Sequence, residues 1–515
     1  MKTKNEVENQ DIAEDQVNSD EIKEQIRSKS ESIIDFCTQD HDGITFYYFE
    51  KELMALVYQL GCLFFQLFLV VRHEKMDYAK WTDSNEYYAR KKPIGRTIKT
   101  VFGPVRYWRT YLVKKCNLSR GFHPLDSVLG LTRDGFSPFI MSLAVRLATR
   151  VSFATCTILF KNFYGWSPST NAIEELVLGI GREAGPYMET VDPPDGEGEV
   201  LVIEPDGKAT PTATEAELAK RRTEHDKNKK SCCQRHRGKE KRKGYNRKRR
   251  KKGDKSKNGR SATIVVMYTL KQGSDGLLHG PINKRVWASY APRKVMLEWI
   301  RREATRRGFP PDTNKRIHIA VDGEKCLKNG LEILFKNATF ALDVRHVEEY
   351  LWKVGRAFHK EGSDELIEMV HELKDLLYQG KSSEIVARLK ELDKGLSKRA
   401  KRDDKKRETL ATVIKYMEPR IDMMKYKEYI EEDLPIATGI VEGAARYVIG
   451  ERMDCSGMRW ITGRAEALLQ LRCIELNGEW DKFFEWGYER WKDKLAEEKK
   501  VIIRTSEPME LPDAA

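Results

Sequence analysis

Three acids in this chain stand at positions from which carboxylates can act together: Asp206, Asp322 and Glu442. Asp206 and Asp322 each follow a short apolar run, at 200–203 and 317–321, and each is followed by a glycine. Glu442 falls in a segment that reads as helix after Thr438-Gly439, and the separations, 116 and 120 residues, are nearly equal. Carboxylates delivered by two strand ends and one helix can converge in an α/β fold and hold two hard divalent cations through oxygen. Two such ions, about 3.5–4 Å apart, activate an attacking water or hydroxyl and stabilise the leaving oxygen in phosphodiester chemistry. Asp-Gly is also an ordinary turn signal, so spacing alone leaves unrelated surface acids as the alternative.

The elements that must position these acids are legible as alternating runs. The segment "EVLVIEPDGKATPT" at 199–212 reads as a strand that ends at Pro205, leaving Asp206 at its exit. A second strand is expected at 261–270, a helix at 293–307, a third strand up to Val321, and a fourth at 339–342 that runs into Asp343. From Ser363 to Tyr429 the sequence is charged with helical apolar spacing.

Composition narrows the partners. The chain has 515 residues, enough for two to four domains, and its 40% apolar residues exclude a wholly disordered protein. Net charge is +13, yet residues 220–260 hold 21 basic against 4 acidic residues, a local +17, so the remainder is slightly acidic. That insert, densest at Lys248, Arg249, Arg250, Lys251 and Lys252, cannot bury a core. It reads as a flexible arm for a polyanion, set in the loop between two strands that can pair as a hairpin. The nine cysteines are scattered without a C-x-x-C pair, which argues against a disulfide framework or structural zinc. The polar N-terminus carries no signal-peptide pattern, so an intracellular, reducing location is expected.

Residues 1–45 read as a mobile acidic tail. From Leu53 to Val71 run nineteen uncharged residues, the length of a membrane span. Charged flanks and Gln59 and Gln66 on one face favour a buried soluble helix, at a subunit seam. A hairpin follows around Gly103-Pro104, in which Arg96, Lys99, Arg106 and Arg109 interleave with aromatics. That composition suits a nucleic-acid backbone or a solvated strand face. Residues 137–184 read as three helices, Ser152 capping the second and Ser167-Pro168 opening the third. The pair fits a helix-turn-helix with Ser169, Thr170 and Asn171 at the reading end, or ordinary bundle packing.

Taken together, "PDGKATP" at 205–211, "VDGEKCLKNGLEILFKNATFALDVRHVEEYLWKVGRAF" at 321–358 and "GIVEGAARYVIGERMDCSGMRW" at 439–460 resemble the insertion-sequence transposases of the ISKra type, relatives of the Mutator-like group. The resemblance spans roughly residues 45–490. It implies an α/β, RNase-H-like catalytic core with Asp206, Asp322 and Glu442 as the catalytic, metal-ligating triad. "DVRH" matches the family's Asp-x-x-His segment, which makes Asp343 and His346 auxiliary candidates, with Asp343 the alternative to Asp322. Arg446, one helical turn beyond Glu442, can pair with it or touch phosphate. Arg459 and Trp460 are candidate DNA contacts, Trp460 by stacking, with a core position as the alternative. The departures are "EPDG" where the family reads "VDG", and a single Cys116 where family members are cysteine-rich.

The resulting expectation is a mainly helical DNA-binding region at 46–190. An RNase-H-like core follows from 195, with the basic arm at 215–260 and a helical insertion at 346–432. A C-terminal helical part carries the Glu at 433–495, and a tail covers 496–515. The reaction implied is strand cleavage and 3′-hydroxyl strand transfer with two Mg²⁺ or Mn²⁺ ions, on element ends and target DNA. A homo-oligomer, a cytoplasmic, nucleoid-associated location and no membrane partner are expected with it. A metal-dependent nuclease on the same core and a silent DNA-binding derivative are the alternatives.

Overall fold

A computed structural model describes residues 17–511, leaving aside positions 85, 91, 217, 218, 220–258, 324, 398–400, 456 and 457. The Lys248–Lys252 cluster therefore lies outside the described residues. The chain is mixed α/β and divides into two compact units, residues up to Glu183 with Trp480–Glu507, and Ala184–Glu479 with the residues from Pro508 on.

In the first unit, α1 (Ser19–Thr38) and α2 (Phe46–Glu74) pack side by side, followed by the short α3 (Ala79–Thr82). Part of the expected mobile tail is thus helix. Asn18 caps α1 by accepting from the Asp20 and Glu21 N–H groups while Glu21 reaches back to the Asn18 N–H, a reciprocal box that satisfies otherwise orphaned donors. The expectation of a buried α2 is also corrected. Only Leu69, Val70 and His73 are buried along it, and Phe46 and Phe64 are 77% and 51% exposed. By length and composition α2 is apolar enough to cross a membrane, a property that periodicity cannot separate from burial.

Strands β1 (Tyr87–Ala89), β4 (Leu112–Lys114) and β5 (Asn117–Phe122) form one antiparallel sheet, and β2 (Ile94–Thr100) pairs with β3 (Gly103–Arg109) as a hairpin. Its loop is Val101-Phe102, and Gly103 opens β3 at φ +129°, in the region that favours glycine. Ile98, Val105 and Tyr107 turn inward with Leu69 and Leu125. Strand parity sends Arg96 and Arg109 to that same inner face, where Asp126 of α4 (Pro124–Val128) pairs with both and accepts the Tyr107 hydroxyl at 2.6 Å. These two arginines are corrected from candidate DNA contacts to partners of a buried carboxylate. Lys99 and Arg106 lie on the exposed face.

Three helices follow: α5 (Pro138–Arg150), α6 (Phe153–Tyr164) and α7 (Thr170–Gly181). Ser152 caps α6, but α7 is capped by Ser169, whose hydroxyl accepts from the Ala172 N–H at 3.2 Å, not by Ser167. Ser169, Thr170 and Asn171 are exposed at the start of α7, and its opposite face buries Ile173, Leu176 and Val177. The helix Trp480–Ala496 completes this unit.

The second unit opens with α8 (Ala184–Thr190) and is built on a five-stranded sheet. Its strands are β6 (Val200–Pro211), β7 (Gly259–Gln272), β8 (Leu278–Ser289), β9 (Arg316–Val321) and β10 (Thr339–Leu342), in the order β10-β9-β6-β7-β8. β6, β7 and β8 are antiparallel neighbours, while β9 is parallel to both β6 and β10. Nine consecutive buried residues in β7 show why these strands read as apolar runs without alternation: both faces of the sheet are covered. The connections are α9 (Arg293–Arg306) between β8 and β9 and α10 (Lys325–Leu334) between β9 and β10.

β6 does not end at Pro205. It continues through Asp206 to Pro211 because β7 pairs with it all the way, while the parallel ladder to β9 stops at Ile203–Ile319. Asp206 is therefore mid-strand on one side and at an open strand edge on the other. Pro205, which has no N–H to donate, falls just past the last β9 pair.

A helical block follows β10: α11 (Val344–Phe358), α12 (Asp364–Tyr378), α13 (Ser382–Lys394), α14 (Lys401–Met417), a 3-10 turn at Glu418–Met423 and α15 (Tyr426–Glu431). Tyr426 and Tyr429 tie it back to β10 by donating to the Leu342 and Phe340 carbonyls at 2.8 and 2.9 Å. Then come α16 (Gly439–Ala444), a π-helical turn at Ala445–Gly450, α17 (Glu451–Met453) and the almost wholly buried α18 (Thr462–Leu476). The Glu466 carboxylate of α18 accepts the Ser289 hydroxyl and the Tyr290 N–H at the end of β8.

Candidate active site

At the edge where β9 parts from β6, one strand, two strand ends and one helix start meet. Asp206 projects from β6, Asp322 follows β9, Asp343 follows β10, and Glu442 sits in the first turn of α16. The Asp343 N–H donates to the Val321 carbonyl at 2.9 Å and the Val344 N–H to Ile436 at 2.9 Å, so the chain entering α16 is stitched to the strand ends.

Asp343 is the hub. It is fully buried, caps α11 by accepting the Arg345 N–H at 3.0 Å, and accepts His346 Nδ1–H at 2.6 Å and the Thr438 hydroxyl at 2.8 Å. Burial alone would raise its pKa, but the bonds from His346, Thr438 and the Arg345 N–H hold it below the usual carboxylate value. The reciprocal effect falls on His346. The hydrogen bond to Asp343 lifts the imidazole to about 9, so it is protonated at neutral pH. With Nδ1 committed to Asp343, its Nε2–H is the donor it offers outward.

Thr438 stands between the two segments. Its hydroxyl also lies 3.3 Å from Glu442 Oε1, so one side chain touches both Asp343 and Glu442. Burial, and then the neighbouring Asp343, push the Glu442 pKa up. Asp206 is raised by burial and by Asp322, against the pull of the Gly207 N–H, which donates to Oδ1 at 2.6 Å, and of His346. Four carboxylates thus crowd round one imidazolium. Among the described residues, ligand atoms of Asp343, His346 and Glu442 lie within 4.8 Å of one another, a separation a single cation can span. Asp206 and Asp322 are outside that set and adjoin it electrostatically, through Asp322 on Asp206 and His346 on both.

Two buried groups, Glu204 and Thr438, hold this site together, a role the sequence does not assign them. Glu204, fully buried in β6, accepts the Val441 N–H at 2.9 Å and the Tyr268 hydroxyl at 2.7 Å, fastening the first turn of α16 to the sheet. Strand parity places it on the same face as Asp206, a signal present in "EPDG". Thr438 gave a weaker one: it precedes a helix, but its hydroxyl makes no cap and turns to Asp343 instead.

The remaining candidates disperse. Arg446 is exposed and makes no ion pair with Glu442, because the π-helical turn beginning at Ala445 departs from the four-residue spacing of an α-helix. Trp460 is a core residue, corrected from a stacking surface. It is 9% exposed, its Nε1–H donates to the Met453 carbonyl at 3.2 Å, and Arg452 lies over its ring at 5.0 Å. Arg459 beside it is half-buried.

No protein-family model matches the chain, and a comparison with curated proteins found no match.

Proposed function

We propose that the chain is a DNA transposase of the ISKra type, whose second unit is an RNase-H-like core cutting and joining phosphodiester bonds. The observation that carries this reading is the convergence of Asp206, Asp322, Asp343 and Glu442 at one edge of a sheet. Numbered within that sheet, the strands run 3-2-1-4-5, with 1 to 3 antiparallel and 4 and 5 parallel to 1. That arrangement supports an RNase-H-like core, and the motifs at 205–211, 321–358 and 439–460 support the family.

The donor set fits a divalent cation. It offers hard carboxylate oxygens, with the pKa of Asp206 and Glu442 raised by burial first and by neighbouring acids second, and Asp343 Oδ1 retains acceptor capacity beyond its one backbone donor. Glu442 and Asp343, with Asp206 and Asp322 beside them, would hold it. Mg²⁺ bound there supplies Lewis-acid activation of the attacking and leaving oxygens. The protein's own groups do the rest. Glu204 and Thr438 fix the carboxylates, and His346 presents a protonated Nε2–H to a phosphate oxygen. In this reading Ser169, Thr170, Asn171, Lys99, Arg106 and the basic arm recognise DNA, and joining two ends brings two copies of the chain together.

Purified protein incubated with Mg²⁺ and labelled DNA carrying the ends of its element should cleave and join those ends, and Asp206→Asn should abolish both. Cleavage indifferent to the ends would make it a general nuclease, and end binding without cleavage a silent binder. Cleavage surviving in Asp206→Asn would overturn the assignment of the acids.

A further inference from the structure

Beside the acidic cluster, α11 and α14 enclose an open groove of about 350 Å³ that the proposed chemistry does not use. Tyr350, Lys353 and Arg356 line it from α11, and Lys405, Glu408 and Thr412 from α14. Its three cations are exposed and face a single acid. Neither Lys353 nor Lys405 makes an ion pair among the described residues, and Arg356 pairs only with exposed Glu361. Two of the cations lie against aromatic rings: Lys353 Nζ is 4.1 Å from the Tyr350 ring centre and Arg356 Cζ 5.3 Å from that of Trp352.

The groove is wired to the site. Tyr350 stacks on Tyr416 with ring centres 4.2 Å apart, and Arg420 caps the column with Cζ 4.7 Å from the Tyr416 ring. At the foot of the column the Tyr416 hydroxyl donates to the Asp322 carbonyl at 3.0 Å, and Arg420 Nη2 donates to the Gly323 carbonyl at 3.0 Å. A continuous stack of cation, ring, ring and cation therefore joins the groove floor to the turn that carries Asp322.

Resting on the transposase reading, we infer that this groove binds the phosphate backbone of the DNA strand entering the acidic cluster. Exposed cations laid against aromatic faces are the kind of surface that takes a nucleic-acid backbone. A merely solvating helix face would carry the same charges with no link to Asp322.

The test uses the full chain. DNA affinity is measured by fluorescence anisotropy across a salt series for wild type, Lys353→Gln/Lys405→Gln and Lys353→Arg/Lys405→Arg. Each phosphate contact contributes about 0.9 to the slope of log affinity against log salt on duplex DNA. The Gln pair should flatten the slope by about 1.8, and the Arg pair should keep it. Thermal unfolding of all three should coincide, since both lysines are exposed. Parallel salt lines for wild type and the Gln pair would overturn the groove while leaving the end-cleavage result intact. A flattened slope in a protein whose Asp206→Asn variant still cleaves would keep the groove and remove the catalytic reading. A chain that binds no DNA would remove both.

Discussion

The Val441 N–H donates to the buried Glu204 carboxylate across 2.9 Å, joining residues 237 apart in sequence. The bond sets where α16 begins, and thereby where Glu442 points, although neither group faces substrate. Glu204→Ala should strand two buried donors, the Val441 N–H and the Tyr268 hydroxyl, at a cost of about 2–4 kcal/mol in urea unfolding. Glu204→Gln, which keeps one acceptor, should lose less than half of that while still depressing end cleavage.

His346 gives the site a pH signature. Its pKa is raised to about 9, chiefly by the bond to Asp343. The stability of that pair is fully present below the unfolded value of about 6.5 and is lost as pH rises through about 9. End cleavage that uses the imidazolium should fall over the same upper range, and His346→Gln should be slower at neutral pH without that alkaline limb. An identical alkaline limb in the variant would refute the role.

His318 acts with the opposite sign. It is fully buried in β9, with Nε2 bonded to the Pro435 carbonyl at 2.8 Å, and burial pulls its pKa down to about 4. The unfolded chain protonates this imidazole near pH 6.5 and the folded one does not. Its contribution is therefore complete above about 6.5 and drains away as pH falls towards 4. At 1.36 kcal/mol per unit the loss is of order 3 kcal/mol, and His318→Gln should flatten it in denaturation curves taken at neutral and mildly acidic pH.

Arg96 and Arg109 should behave as structural residues. Asp126→Ala leaves two largely buried guanidinium groups without their carboxylate and should cost about 3–5 kcal/mol. Arg96→Ala should lower the melting temperature and leave the salt slope of DNA binding unchanged, whereas Lys99→Ala and Arg106→Ala on the outer face should do the reverse.

The hairpin shows what a sequence reading holds and what it loses. Its strands and the inward turn of Ile98 and Val105 follow from residue types, and the same parity would have sent Arg96 and Arg109 inward had it been applied to charges as strictly as to apolar residues. The strands at 200, 317 and 339 were legible because a doubly covered sheet demands unbroken apolar runs. The full length of β6 was not, because the continuing partner, β7, begins at residue 259, beyond the basic arm. The capping box at Asn18–Glu21 was written in the sequence and outweighed by composition. Thr438 between Asp343 and Glu442 is a contact of tertiary structure, and no local pattern encodes it. The exposed face of α2 shares its composition with a buried one, so only packing distinguishes them.

The acids of the site are strung along residues 206–442, with a whole block of helices, from α11 to α15, between Asp343 and Glu442. Synthesis therefore delivers Glu442 last. A ribosome stalled within the helical block, or a protease cutting there, yields an N-terminal chain with its first three carboxylates and no finished site. On the proposed reading, a cutting enzyme is inert throughout its own manufacture and becomes dangerous only when nearly complete.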